Sequence, residues 1–156
     1  MNSLDFNGER VSSTLVRRSL QQGKLEFVRL ILGRDYSIGG RVIRGDGFGR
    51  TLGFPTANVA LRCSNIAISG IFVVRVALEN KLLNGVASLG VRPTVKQTKI
   101  PLLEVHIFDF NRKIYGKYIR VLFLKKLRDE KKFNNVDQMV LQMRKDKKTA
   151  QDFFLD

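Results

Sequence analysis

The chain has 156 residues, and its 28 lysines and arginines against 14 aspartates and glutamates give a formal net charge of +14. One domain with a short appendage fits this length, and a single cysteine, Cys63, with a single histidine, His106, excludes a disulfide framework, a cysteine-cluster zinc site and any metal site built on two imidazoles. No apolar run approaches the ~18 residues of a membrane span, and Met1–Asp5 has neither the basic nor the apolar region of a secretory leader, so a cytoplasmic protein with no membrane partner is expected.

Residues 11–33 predict two short helices. Ser12, Ser13 and Thr14 are N-cap candidates, Gly23 interrupts the apolar spacing, and Gly33 is placed to end it. From Tyr36 to Leu124 glycines punctuate β-rich runs at Tyr36–Ile43, Ile71–Leu78, Leu82–Leu89, Leu102–Phe110 and Tyr118–Leu124. Asn111-Arg112-Lys113 and Tyr115-Gly116 are turn candidates between the last two. Short strands without intervening helices predict an antiparallel barrel or sandwich. The tail predicts a helix capped by Asn134 or Asn135. Val136, Met139, Val140, Met143 and Phe153 or Phe154 form its apolar face, with Lys145, Lys147 and Lys148 opposite.

The densest motif runs from Gly45 to Asn58. Gly45, Gly47, Gly49 and Gly53 allow the backbone to approach a ligand and aim N–H groups at phosphate oxygens, and Arg50 adds a fixed positive fork. Pro55 stiffens the chain before Thr56 and Asn58, whose side chains share one side of an extended segment. A hydroxyl and an amide oxygen are hard donors, suited to Mg²⁺ or another divalent cation shared with phosphates. No Gly-Lys-Ser/Thr follows the glycines, so this is not a Walker A loop, and a surface hairpin loop is the plainer alternative.

The string Gly49-Arg50-Thr51-Leu52-Gly53-Phe54-Pro55-Thr56-Ala57-Asn58 resembles the signature loop of riboflavin kinases. The likeness continues through Ser69–Phe72, Gly85–Thr94, Leu103–Phe110, Tyr115-Gly116 and Lys126–Phe133, covering about residues 35–156. It implies a six-stranded antiparallel Greek-key barrel with a C-terminal helix, here with short N-terminal helices. It also implies transfer of the ATP γ-phosphate to the riboflavin 5′-hydroxyl, giving FMN and ADP. The glycine loop, Arg50 and Pro55 would then hold the nucleotide, and Thr56 and Asn58 the metal.

Along Leu102–Phe110 one face carries Leu102, Glu104, His106, Phe108 and Phe110, the other Leu103, Val105, Ile107 and Asp109. Both are mostly apolar, which predicts a strand buried on both sides. A carboxylate there must be paired, metal-bound or functional. The resemblance places Glu104 at the family's catalytic base. His106 reads as a core or supporting histidine, Cys63 as incidental, and Asp109 as part of a turn. Lys125–Phe133 is a charge run, ordinarily a solvated face. The resemblance makes it a flap near the flavin, with Arg128 and Glu130 as contacts and Phe108 and the C-terminal helix as further walls.

Ser12-Ser13-Thr14-Leu15-Val16-Arg17 resembles the Ser-Ser-Thr-x-x-Arg element that closes the adenylyltransferase domain of bacterial bifunctional FAD synthetases. The histidine motif of that domain is absent, so FAD formation is not expected, and helix capping is the local role of these residues. Residues 1–34 are then a helical linker left from such a domain and a surface for contact with it, and residues 35–156 the kinase domain. The alternatives are a basic small-barrel nucleic-acid-binding module, suggested by the charge and by Tyr115 and Tyr118, and a catalytically silent flavin binder.

Overall fold

The computed structural model describes residues 4–6, 9–63, 65–93 and 99–156. A short hairpin, β1 (Leu4–Phe6) and β2 (Glu9–Val11), precedes helices α1 (Ser13–Gln21) and α2 (Leu25–Leu32). The two-helix expectation holds. Ser12 caps α1, its hydroxyl accepting from the Leu15 amide at 3.2 Å, and Gly33 closes α2 at φ 74°. The hairpin leaves no mark in the sequence, because its strands are too short to show alternation.

Strands β3 (Tyr36–Ile43), β4 (Ala57–Val59), β5 (Gly70–Leu78), β6 (Lys81–Pro93), β7 (Lys99–Ile107) and β8 (Tyr118–Arg128) close into a barrel. Its order is β3-β4-β7-β6-β5-β8, with all neighbours antiparallel. β5, β6 and β7 form a meander, and β8 returns beside β5, the Greek-key arrangement. The expected barrel is therefore the one found. β7 ends at Ile107 rather than Phe110, because Asp109 turns the chain with φ 51°. β6 runs past Gly90 to Pro93 instead of stopping at Leu89.

The barrel interior follows from strand alternation. Phe72, Val74 and Val76 of β5, Leu103 and Val105 of β7, and Ile119, Val121 and Phe123 of β8 point inward and are almost wholly buried. The Phe72 and Phe123 rings meet edge to face at 5.2 Å. Each such side chain stabilises the fold by about 1.5–3 kcal/mol. Leu20, Leu25 and Val28 join the same core, so α1 and α2 are packed onto the barrel.

Helix α4 (Val136–Phe153) is capped by Asn135, whose side chain accepts from the Gln138 amide at 2.9 Å, and it lies against β5 and β6. The expected apolar face needs correcting. Val136 is 47% exposed, while Asp146 and Ala150 are the buried positions. An aspartate on the buried side is tolerated because Arg128 meets it there, as the next section describes.

Candidate active site

β7 presents alternate residues to the two sides of the barrel wall. Leu103, Val105 and Ile107 go inward, so Leu102, Glu104 and His106 face outward. In the ladders Glu104 stands opposite Asn58 of β4 and Ser88 of β6. Residues directly opposite in an antiparallel pair share a face, with β-carbons about 5 Å apart. A carboxylate, an amide and a hydroxyl thus converge on the outer face. The expectation of burial on both sides is only half met: this face is half-buried at Leu102 and Glu104 and buried at His106.

The glycine-rich segment arches over that face. It is not a bare loop: Phe48–Thr51 forms a single helical turn, α3. Gly47 begins the turn with φ 71°, a conformation that favours glycine, and the Asp46 carboxylate accepts from the Phe48 amide at 3.0 Å. Phe54 returns to the turn, its amide donating to the Gly49 carbonyl at 2.8 Å. Gly45 packs so closely on Asn58 that a β-carbon would collide with the Asn58 amide.

Two clefts open beside this arch. The first has a volume of about 370 Å³. Phe48, Gly49, Leu52 and Phe54 of the arch form one side, Ser88, Glu104 and His106 the barrel wall, and Arg128, Glu130, Phe133, Met139 and Met143 the far side. The second has a volume of about 350 Å³ and lies between Arg50, Pro55 and Thr56 on one side and Arg112, Lys113 and Tyr115 on the other. It is lined by three cations and no carboxylate. The first is lined by Asp46, Glu104, Glu130 and Asp146 against Arg128 and Lys131, with aromatic and thioether walls. Thr56 borders both clefts.

Other site candidates are distributed unevenly. Gly49 and Thr56 line the first cleft and Arg50, Pro55 and Thr56 the second, whereas Gly45, Gly47, Gly53 and Asn58 line neither. Asn58 is buried beneath Gly45. Phe108 sits at the turn after β7 and its ring packs on His106 at 5.8 Å, outside the linings of both clefts. Met139 and Met143 bring the C-terminal helix to the first cleft as the expected wall, whereas Ser88, Lys131 and the cationic second cleft are not marked as site features in the sequence. Outward alternation on β6 is the only local mark Ser88 carries.

Arg128 and Glu130 both reach the first cleft from the end of β8. The Arg128 guanidinium donates to both Asp146 oxygens at 2.8–3.1 Å, and Gln142 donates to the same carboxylate at 3.0 Å. The guanidinium also lies over the Phe133 ring at 5.9 Å. Arg128 therefore ties the barrel to α4. The Glu130 carboxylate sits over Gly90, and burial pushes its pKa up against the opposing pull of Arg128.

His106 is 8% exposed. Its Nδ1 donates to the Pro55 carbonyl at 2.8 Å, and Phe54 and Phe108 approach its ring edge to face. Burial lowers its pKa, which keeps the ring neutral. Cys63 is exposed.

Among the described residues no cluster of three or more histidines, cysteines, aspartates or glutamates is placed to hold a metal. A cation here would take neutral oxygens, and the Thr56 hydroxyl and Asn58 amide oxygen fit a hard ion whose remaining ligands are phosphate and water. No helix among the described residues is long and apolar enough to cross a membrane.

Comparison with known proteins bears on this geometry directly. The chain is 43% identical over 153 residues to the bifunctional riboflavin kinase/FMN adenylyltransferase of Haemophilus influenzae, covering 97% of this chain and 49% of that protein. It is 40% identical over 157 residues to the Bacillus subtilis protein of the same description, covering 99% and 50%. The chain thus spans about half the length of the curated relatives it matches. A crystal structure described as a macrolide-efflux protein from Streptococcus pneumoniae superposes with TM-score 0.86 at 33% identity, over 96% of this chain and 49% of that one. The riboflavin kinase of Trypanosoma brucei shares the fold, with TM-score 0.52 at 19% identity over 77% and 80% of the two chains. Residues 32–154 match the family described as Flavokinase: Riboflavin kinase, and the chain belongs to the riboflavin kinase family.

Proposed function

We propose that the chain transfers the γ-phosphoryl group of ATP to the 5′-hydroxyl of riboflavin, giving FMN and ADP. The observation that carries this reading is the position of Thr56, which borders both an aromatic-walled cleft containing Glu104 and a cationic cleft without carboxylates. A phosphoryl donor and its acceptor must meet in line at one point, and catalysis then rests on positioning and charge stabilisation.

The apolar flavin ring fits the first cleft, between the arch and the methionines of α4. The nucleotide fits the second, where Arg50 and Lys113 offset phosphate charge and Tyr115 supplies an aromatic surface. Glu104 orients the ribityl hydroxyl and accepts its proton as the oxygen–phosphorus bond forms; the bond to the bridging oxygen breaks and ADP leaves. Thr56 and Asn58 would hold a divalent cation, Mg²⁺ by preference for hard oxygen, and the ion would supply charge neutralisation on the phosphates. Residues 35–156 form the kinase unit, residues 1–34 a lead of a short hairpin and two helices that contacts an adenylyltransferase domain, and the enzyme works in the cytoplasm where ATP is supplied.

Incubation with riboflavin, ATP and Mg²⁺, followed by chromatography, should yield FMN and ADP in equal amounts. Absence of FMN, together with salt-sensitive binding of oligonucleotides, would replace this reading with the nucleic-acid module.

A further inference from the structure

β4 and β7 pair through Val59↔Leu103, Asn58↔Glu104 and Ala57↔Val105, and there the ladder stops. The next step would match Thr56 with His106, but the chain arrives from Pro55, which has no amide hydrogen to give. At this point the His106 side chain takes over, its Nδ1 lying 2.8 Å from the Pro55 carbonyl. A carbonyl only accepts, so Nδ1 carries the proton and Nε2 carries the lone pair. Nε2 is buried and, among the described residues, has no hydrogen-bond partner.

That orphan nitrogen is informative. A histidine wedged between Phe54 and Phe108 with one nitrogen unsatisfied is a poor choice for packing alone, since a buried unpaired polar atom destabilises and a phenylalanine would not carry it. The Nδ1 bond to the Pro55 carbonyl is what a histidine supplies here and a phenylalanine would not. We propose that His106 is a positioning residue for phosphoryl transfer: by holding the Pro55 carbonyl it extends the β4–β7 pairing one step and fixes Thr56 relative to Glu104. Glu104 and His106 lie two apart on the same face of one strand, so the proton acceptor and the anchor of the Thr56 segment share a single rigid frame. The rate role rests on the kinase reading above; the anchoring itself does not.

The test compares His106→Asn, His106→Gln and His106→Phe. The Asn amide nitrogen occupies the place of Nδ1, whereas the Gln amide nitrogen occupies that of Nε2. Both truncate a buried ring, so general loss of stability is shared and the contrast between them reads the hydrogen bond. His106→Asn should keep kcat close to wild type. Relative to His106→Asn, His106→Gln and His106→Phe should lower kcat by about ten- to a hundredfold, the cost of misplacing a reacting group by ~1 Å. Amide hydrogen exchange at Thr56 and Ala57 should accelerate in the Gln and Phe variants and not in Asn, whether or not the protein makes FMN. Wild-type kcat and exchange in His106→Phe would reduce His106 to packing and overturn the proposal. Rescue by Gln and not by Asn would overturn it too, by shifting the role to Nε2. Exchange that follows the predicted order in a protein making no FMN would retain the anchor and refute the kinase reading instead.

Discussion

Asn58 and Glu104 stand directly opposite each other across the β4–β7 ladder, on the outer face of the barrel. The pairing joins the glycine-rich arch to the strand that carries the proposed proton acceptor. Because Gly45 lies against the Asn58 amide, the arch can close only where residue 45 has no β-carbon. Gly45→Ala should therefore act like Asn58→Ala. Each is expected to raise the Mg²⁺ concentration for half-maximal activity by about 10–100-fold. Their double variant should be little worse than either alone. A titration of FMN formation against Mg²⁺ checks this, and fully additive effects would count against it.

The second cleft predicts a separable binding defect. Arg50→Gln should raise the KM for ATP by about tenfold, equivalent to ~1.4 kcal/mol, while the KM for riboflavin stays at its wild-type value. Arg50 lines only the cationic cleft. Steady-state kinetics with each substrate varied in turn distinguishes this from a general loss of activity.

Asp146 supports the opposite wall. It is 7% exposed and accepts both Arg128 and Gln142. Asp146→Ala leaves a guanidinium without its partner and should cost about 3 kcal/mol, near the low end for a broken buried pair because Arg128 keeps some contact with solvent. In a chain of this size that corresponds to a fall in Tm of about 6–12 °C. Asp146→Leu combined with Arg128→Met should recover much of the loss, as calorimetry can show.

Glu130 gives a pH signature. Burial raises its carboxyl above the ordinary 4.5, with Arg128 opposing. The folded state then binds this proton more tightly than the unfolded chain, so the group's contribution to stability is present below pH 4.5 and is lost as pH rises through the folded value. Glu130→Gln should thus be equal to or slightly more stable than wild type at neutral pH. The gap should close as pH falls, and the effect should be small because the side chain is largely exposed. Thermal melts across pH test the sign.

Much of the barrel was legible because its long strands alternate. β3 matches Tyr36–Ile43 at both ends, and Gly23, Gly33 and Asn135 punctuate the helices as their chemistry requires. β4 is too short to show alternation, though Thr56–Asn58 reads as extended, and α3 is hidden because a glycine-rich stretch reads as coil. Gly90 looked like a strand break but remains in β6, with the Glu130 carboxylate occupying the room a side chain would need. At the site, Gly49, Arg50, Thr56 and Glu104 were marked by composition and resemblance. The Arg128–Asp146 tie and the His106–Pro55 bond join residues 18 and 51 positions apart, a relation that local sequence pattern does not encode.

The most direct measurement is a single-turnover assay of Glu104→Gln with saturating riboflavin and Mg·ATP. Loss of the proton acceptor should slow FMN formation by about 10²–10⁴-fold while riboflavin and ADP still bind as in wild type. FMN formation within about tenfold of the wild-type rate would contradict Glu104 as the base, and with it the mechanism built on its place opposite Asn58.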